Sequence, residues 1–237
     1  MERFGGLTTL MCRQDRSARR RLELAGAFES SREEMESRSR SRHPLRCPRP
    51  VAFVFSGGSS LGALHPGMLR AVHEARIEPD FLVGTSAGAL NAAFIAKGFT
   101  ASRVTELAGI WAAMKTKDVF PGLGLWSSLR AIAGSGTLCS PSGLKRIIDR
   151  YVPATHAELA IPTSVIASDL ATGSAVAFRD GDLRRQVLAS TAIPGIFPPV
   201  TVEGQTFIDG GVSSHVPILP ARDLGAKTMV VFDTGFP

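Results

Sequence analysis

Two short segments carry residue types suited to nucleophilic chemistry. Gly84-Thr85-Ser86-Ala87-Gly88 fits the G-x-S-x-G elbow. In that pattern a serine projects from a sharp strand-to-helix turn. The flanking glycines leave room for the turn and for a substrate, and the helix N-terminus behind the serine offers a positive dipole end and free N–H groups to a developing oxyanion. The alternative is a Gly-rich packing turn with an incidental serine. The apolar run Phe81-Leu82-Val83 before the motif and the Ala-rich stretch after it favour the elbow. Far downstream stands Asp209-Gly210-Gly211. Alone, an Asp-Gly pair after a strand reads as a turn; beside an elbow it is a candidate base.

An activated serine needs a proton acceptor, and histidine is the usual one. The histidines are His43, His65, His73, His156 and His215. His43 falls in the N-terminal tail, His65 and His73 share one helix, and none sits in the late loop that a Ser-His-acid triad requires. His215 follows Asp209-Gly210-Gly211 closely and is the serious candidate among them. A loop histidine bonding to backbone is the preferred reading.

A third segment, Ser56-Gly57-Gly58-Ser59-Ser60-Leu61-Gly62, follows the apolar run Val51-Ala52-Phe53-Val54-Phe55. Backbone N–H groups at such a turn can hold an oxyanion. A nucleotide-phosphate cradle is the weaker reading, because the G-x-G-x-x-G spacing is broken and no P-loop lysine is present.

These motifs need elements to position them. Val51–Phe55 and Phe81–Val83 read as short buried strands, each running into a Gly-rich turn and then a helix: Ala63 to Ala75 after the first, Ser86 to Lys97 after the second. That alternation predicts a parallel sheet with flanking helices. Helices are expected over 100–118, 142–151 and 182–191, and residues 119–141 read as an apolar loop. Ser164–Ser168 and Ser174–Phe178 read as a hairpin through Thr172-Gly173, Gln205–Ile208 leads into Asp209, and Thr228–Asp233 reads as a last buried strand. A chain stopping straight after that strand suggests a missing C-terminal helix or an unusually short protein. Within Phe120–Trp126, a lid, an acyl-pocket wall, a membrane-contacting loop and a loop packed on the body stay open; Ile193–Pro199 is expected to shape the edge of the site and pack the core.

Composition sets outer bounds. The chain has 237 residues, 44% hydrophobic and 20% charged, with a net charge of +6. Residues 1–50 hold 12 Arg against 7 Asp or Glu, a net of +5, which leaves +1 for the rest. The basic character belongs to residues 1–48, read as a disordered extension ahead of a catalytic domain at 49–237. The extension lacks aromatic interleaving and gives no support for nucleic-acid binding. The 3 cysteines, Cys12, Cys47 and Cys139, have no pairing or metal-site spacing. No secretory pattern and no apolar run of roughly 18 residues is visible, so a cytoplasmic or peripheral-membrane location is expected.

Together the segments resemble the patatin-like phospholipases. Gly57-Gly58 with Gly62, Gly84-Thr85-Ser86-Ala87-Gly88 and Asp209-Gly210-Gly211 come in that family's order. Ser168-Asp169-Leu170-Ala171-Thr172-Gly173 and Ala189–Pro199 also look like family segments. The resemblance implies a three-layer α/β/α sandwich with a mostly parallel central sheet. It implies a Ser–Asp dyad, Ser86 as nucleophile and Asp209 as base, and an oxyanion hole at Gly57, Gly58 and Ser59. Gly62, Gly84, Gly88, Gly210 and Gly211 complete the motifs. Ser59 stands where the family has glycine, Leu61 where it has a basic residue, and His215 where it usually has Asn. The implied activity is hydrolysis of lipid acyl esters through an acyl-enzyme, without metal or organic cofactor, on a lipid substrate with transient membrane contact. Acyl transfer by the same dyad and a catalytically weak lipid-binding module are the alternatives.

Overall fold

The computed structural model describes residues 47–120 and 137–235. The expected N-terminal extension up to residue 46, and the stretch 121–136 with most of the apolar loop, lie outside the described residues.

The chain opens with β1 (Val51–Phe55), a 3-10 turn (Ser59–Leu64) and α1 (His65–Glu74). The second unit follows as β2 (Phe81–Thr85) and α2 (Ala87–Ile95). Next come α3 (Ala101–Ala113), α4 (Thr116–Val119) and α5 (Ser142–Tyr151). The remainder is β3 (Thr163–Asp169), β4 (Ala175–Phe178), α6 (Leu183–Ser190), β5 (Val200–Val202), β6 (Gln205–Asp209), α7 (Gly211–Ser214), α8 (Ile218–Asp223) and β7 (Thr228–Phe232).

One seven-stranded mixed sheet results. Strands β7, β1, β2 and β3 are parallel neighbours in that order, as two strand–turn–helix units demand. Strands β4, β5 and β6 add antiparallel pairings beyond them. Side chains alternate between the two faces. Phe53, Phe55 and Leu82 pack with Leu69 of α1, Ile95 of α2 and Leu107 of α3. Ala52, Val54, Val83 and Ile166 pack on the opposite face with Ala221 of α8. A further apolar cluster joins Leu90 of α2, Val165 of β3, Ile148 of α5 and Val187 of α6. Helices thus cover both faces of a central sheet, the three-layer arrangement expected.

The register of β3 decides the site. Residues Val165 to Ser168 pair with β4 along one edge. The other edge is shared: β2 pairs with Thr163 to Ile166, and β6 with Ala167 to Asp169. The C-terminal ends of β2 and of antiparallel β6 therefore meet head to head, with Thr85 opposite Ile166 and Asp209 opposite Ala167. Two residues far apart in sequence become neighbours because two strands end against adjacent residues of a third.

Four details differ from the expectations. The helix expected over 100–118 breaks at Met114-Lys115, where both residues are extended and the Asp118 carboxylate accepts the Lys115 N–H at 2.9 Å, starting a new turn. The helix expected from Ala63 is preceded by the 3-10 turn and begins at His65, with Pro66 in its first turn. Strand β5 was not expected; it pairs with β6 through Glu203-Gly204, both at positive φ, as a tight hairpin requires. The last strand is an edge strand, with Val231 39% exposed rather than buried.

Candidate active site

Ser86 ends up at the hinge between β2 and α2 with φ 53° and ψ −122°. A non-glycine residue there is strained, and such strain persists only where the surroundings over-determine it. Backbone packing supplies that constraint. A Cβ on Gly88 would lie 2.4 Å from the Ser56 carbonyl oxygen and 2.5 Å from that of Phe55, so α2 can lean on the end of β1 only with glycine there. The Ser86 N–H donates to Ser190 Oγ at 2.8 Å, and Ser190 Oγ donates in turn to the Ile166 carbonyl at 2.6 Å. That carbonyl sits where β2 gives way to β6, and Ser190 satisfies it.

The structure brings Ser86 and Asp209 together. Ser86 Oγ donates to Asp209 Oδ2 at 2.6 Å, and both side chains are buried. The other carboxylate oxygen, Oδ1, accepts the Gly211 N–H at 2.7 Å. Behind it, Ser168 Oγ donates to the Asp209 carbonyl at 2.9 Å and accepts the Ser213 N–H at 3.1 Å, while Thr85 Oγ1 donates to the Ser214 carbonyl at 2.8 Å. Burial pushes the Asp209 carboxyl above its usual range; the bonds from Ser86 and Gly211 and the nearby charge of His215 pull more weakly the other way. A carboxylate with raised proton affinity, bonded to a hydroxyl, is suited to accept its proton.

The Gly57–Ser59 loop lies beside Ser86. A Cβ on Gly57 would sit 3.6 Å from Ser86 Cβ. The Gly57 N–H donates to the His215 carbonyl at 2.9 Å, so this expected oxyanion donor is already committed. The Gly57 carbonyl accepts from Ser56 Oγ and from Thr234 Oγ1, each at 2.9 Å. Because a trans peptide is planar, fixing that carbonyl aims the Gly58 N–H the opposite way. Among the described residues, the N–H groups of Gly58 and Ser59 meet no acceptor. The candidate hole therefore narrows to these two. Gly58 holds φ 136°, and a Cβ there would strike Thr234 Oγ1 at 2.4 Å. Ser59 takes φ 52°, so the serine in place of glycine is accommodated in the left-handed region.

Gly62 anchors the far end of this loop. Its carbonyl accepts from Asn91 Nδ2 at 2.9 Å. Asn91 Nδ2 also meets His65 Nδ1 at 2.9 Å, its Oδ1 accepts from Trp111 Nε1 at 2.8 Å, and His65 Nε2 reaches the Phe232 carbonyl at 3.1 Å. Burial lowers the His65 pKa to about 4, so the imidazole is neutral, accepting at Nδ1 and donating at Nε2. Gly84 packs against Gly88, and Gly210 against the Ile166 carbonyl.

A cavity of about 220 Å³ opens beside Ser86 and Ser59. Leu90, Trp111, Met114, Phe120, Ile147 and Phe197 give it an apolar wall, with the Phe120 and Phe197 rings stacked 5.4 Å apart. Phe120 thus lines the cavity, and Ile193 and Phe197 shape its edge as expected; the rest of the expected lid stretch, 121–126, lies outside the described residues. Lys115 is the one charged residue in the lining among the described residues, and Leu61 is exposed outside it. Sequence reasoning assigned no role to Ser56 and Ser190, although both fall in segments it singled out, and missed Thr234 and Asn91, which reach the site from distant parts of the chain.

The patatin-like phospholipase family model matches residues 53–222. The chain is 31% identical over 188 residues to the patatin-like phospholipase domain-containing protein 6 of Mus musculus, covering 78% of this chain and 13% of that protein. It is 31% identical over 180 residues to an uncharacterized NTE family protein of Mycobacterium bovis, covering 76% of this chain and 48% of the relative. It therefore spans between about an eighth and about half the length of these relatives. Among solved structures, VipD from Legionella pneumophila shares the fold with a TM-score of 0.55 at 14% identity, over 78% of this chain and 49% of that one.

Proposed function

This chain belongs to the patatin-like phospholipase family, and on that footing we propose that it hydrolyses lipid acyl esters with Ser86 as nucleophile and Asp209 as the base. The observation that carries the reading is the 2.6 Å bond from Ser86 Oγ to a buried carboxylate beside an apolar cavity. The acyl chain lies along Leu90, Met114, Ile147 and Phe197, with the ester carbonyl over Ser86. As Ser86 Oγ attacks the carbonyl carbon, its proton passes to Asp209 Oδ2. The Gly58 and Ser59 N–H groups hold the oxyanion, each such donor contributing roughly 3 kcal/mol to transition-state stabilisation. Collapse breaks the ester bond, Asp209 returns the proton to the departing alkoxide, and an acyl-Ser86 ester remains. Water then attacks that ester while Asp209 accepts its proton; on collapse Asp209 passes that proton to Ser86 Oγ, and the carboxylic acid leaves.

The test is hydrolysis of p-nitrophenyl esters of short and long acyl chains by the wild type, Ser86→Ala and Asp209→Asn. Both variants are expected to lose activity by at least about 10³-fold while staying folded, and long chains are expected to outrun short ones. An active Asp209→Asn would move the base elsewhere. A folded wild type inert on every ester would favour a lipid-binding module.

A further inference from the structure

His215 packs against Gly57 and Gly211, which neighbour Ser86 and Asp209. Its backbone carbonyl holds the Gly57 N–H at 2.9 Å. Its ring is packed as closely: a Cβ on Gly57 would lie 3.0 Å from both Cε1 and Nδ1 of His215, and 3.6 Å from Ser86 Cβ. On the other flank, a Cβ on Gly211 would lie 3.0 Å from Asp209 Oδ1 and 3.4 Å from His215 Nδ1. Imidazole and carboxylate therefore both border the space that one methyl group on Gly211 would fill. Oδ1 is also the carboxylate oxygen turned away from Ser86, so a charge on the ring acts on Asp209 without competing for the nucleophile.

We propose that the His215 imidazole is a positioning residue that keeps the Asp209 carboxylate ionised and ready for Ser86 as the medium turns acidic. This rests on the reading of Ser86 and Asp209 as the reacting pair. The elements round the ring contribute few other ionisable groups. The β1 turn brings Ser56, Gly57 and Gly58, and α7 brings Gly211 to Ser214, none of which titrates in the relevant range. The segment after β7, which packs on Gly58, carries Asp233, exposed and accepting the Gly235 N–H at 3.0 Å. Asp209, from β6, is the buried charge among them. A positive imidazole close to a carboxylate favours the ionised form, which agrees with the direction in which His215 acts on Asp209.

The experiment is the pH dependence of kcat/KM on a p-nitrophenyl ester for the wild type, His215→Asn and His215→Gln, with Ser86→Ala and Asp209→Asn as controls. Both His215 variants keep the backbone carbonyl that holds Gly57 and replace the ring with a neutral amide. Their acid limb is expected to move to higher pH, with a loss of roughly tenfold at the acid end and little change on the alkaline plateau. In a second measurement, ¹³C NMR of labelled Asp209 in the Ser86→Ala background, the carboxyl is expected to titrate at higher pH once His215 is replaced. A uniform loss at every pH, or an unchanged limb and an unchanged Asp209 titration, would overturn the inference while leaving the dyad in place. Activity surviving in Ser86→Ala or Asp209→Asn would instead overturn the dyad reading beneath it.

Discussion

The two strand–turn–helix units make an instructive pair. Both begin on a buried parallel strand and both turn on glycines, yet one presents a side chain and the other presents backbone. At the β2–α2 elbow the geometry is held by backbone against backbone: Gly88 lies on the carbonyls of Phe55 and Ser56, and Gly84 on the carbonyl of Gly88. At the β1–α1 loop it is held by side chains arriving from elsewhere: Thr234 from beyond β7, Asn91 from α2 and the His215 ring from beyond α7. A reactive side chain needs a rigid main chain beneath it. Reactive main-chain donors need side chains to aim them. The elbow should therefore be sensitive to added volume, and the loop to lost hydrogen bonds.

Gly88→Ala against Gly57→Ala sharpens that contrast most. The new methyl at Gly88 meets backbone that has nowhere to go, and a loss of more than about 3 kcal/mol is expected in denaturant unfolding. The methyl at Gly57 meets the His215 ring at 3.0 Å, which can give by a few tenths of an ångström, and roughly 1 kcal/mol is expected. Equal losses would erase the distinction between the two turns.

The side-chain-held loop should also be the acid-labile one. His65 has a pKa of about 4 when folded, against an ordinary 6.5, because burial disfavours the charged ring. The stabilisation from its neutral form is complete above pH 6.5 and is lost progressively as pH falls from 6.5 towards 4, about 3 kcal/mol in all. Asp209 acts with the opposite sign, since a carboxyl pushed up by burial favours folding as pH falls. The two separate cleanly: stability curves of His65→Asn should lose most of the decline over that window, and those of Asp209→Asn should steepen it.

The smallest expected effect is at Thr234. Thr234→Val removes one of the two hydroxyls that aim the Gly57 carbonyl and keeps the shape. A fall of about tenfold in kcat with KM little changed is expected from steady-state kinetics, a fraction of what losing an oxyanion donor outright would give. A rise in KM at constant kcat would mean that Thr234 serves binding instead.

Much of this was legible in the sequence because it is local. The elbow, the Asp209 turn and the two strand–helix units are contiguous strings whose spacing fixes their geometry. The hairpin through Glu203-Gly204 was equally local and went unread, although a two-residue turn between Val-Thr-Val and Gln-Thr-Phe is a hairpin signal. What no string could reveal was tertiary. Ser190 matters because β2 hands over to β6 beside Ile166, and Asn91 because Gly62, His65 and Trp111 converge on it. The Gly57 N–H was unreadable for the same reason: it is taken by a carbonyl from a distant turn.

An acyl-enzyme on Ser86, formed with Asp209 as proton acceptor, can be caught by rapid-quench intact-mass analysis with a long-chain p-nitrophenyl ester. The wild type should gain the mass of one acyl group, mapped by peptide digestion to Ser86, and Asp209→Asn should acylate at least about 10³-fold more slowly. An adduct on another residue, or Asp209→Asn acylating at the wild-type rate, would contradict it.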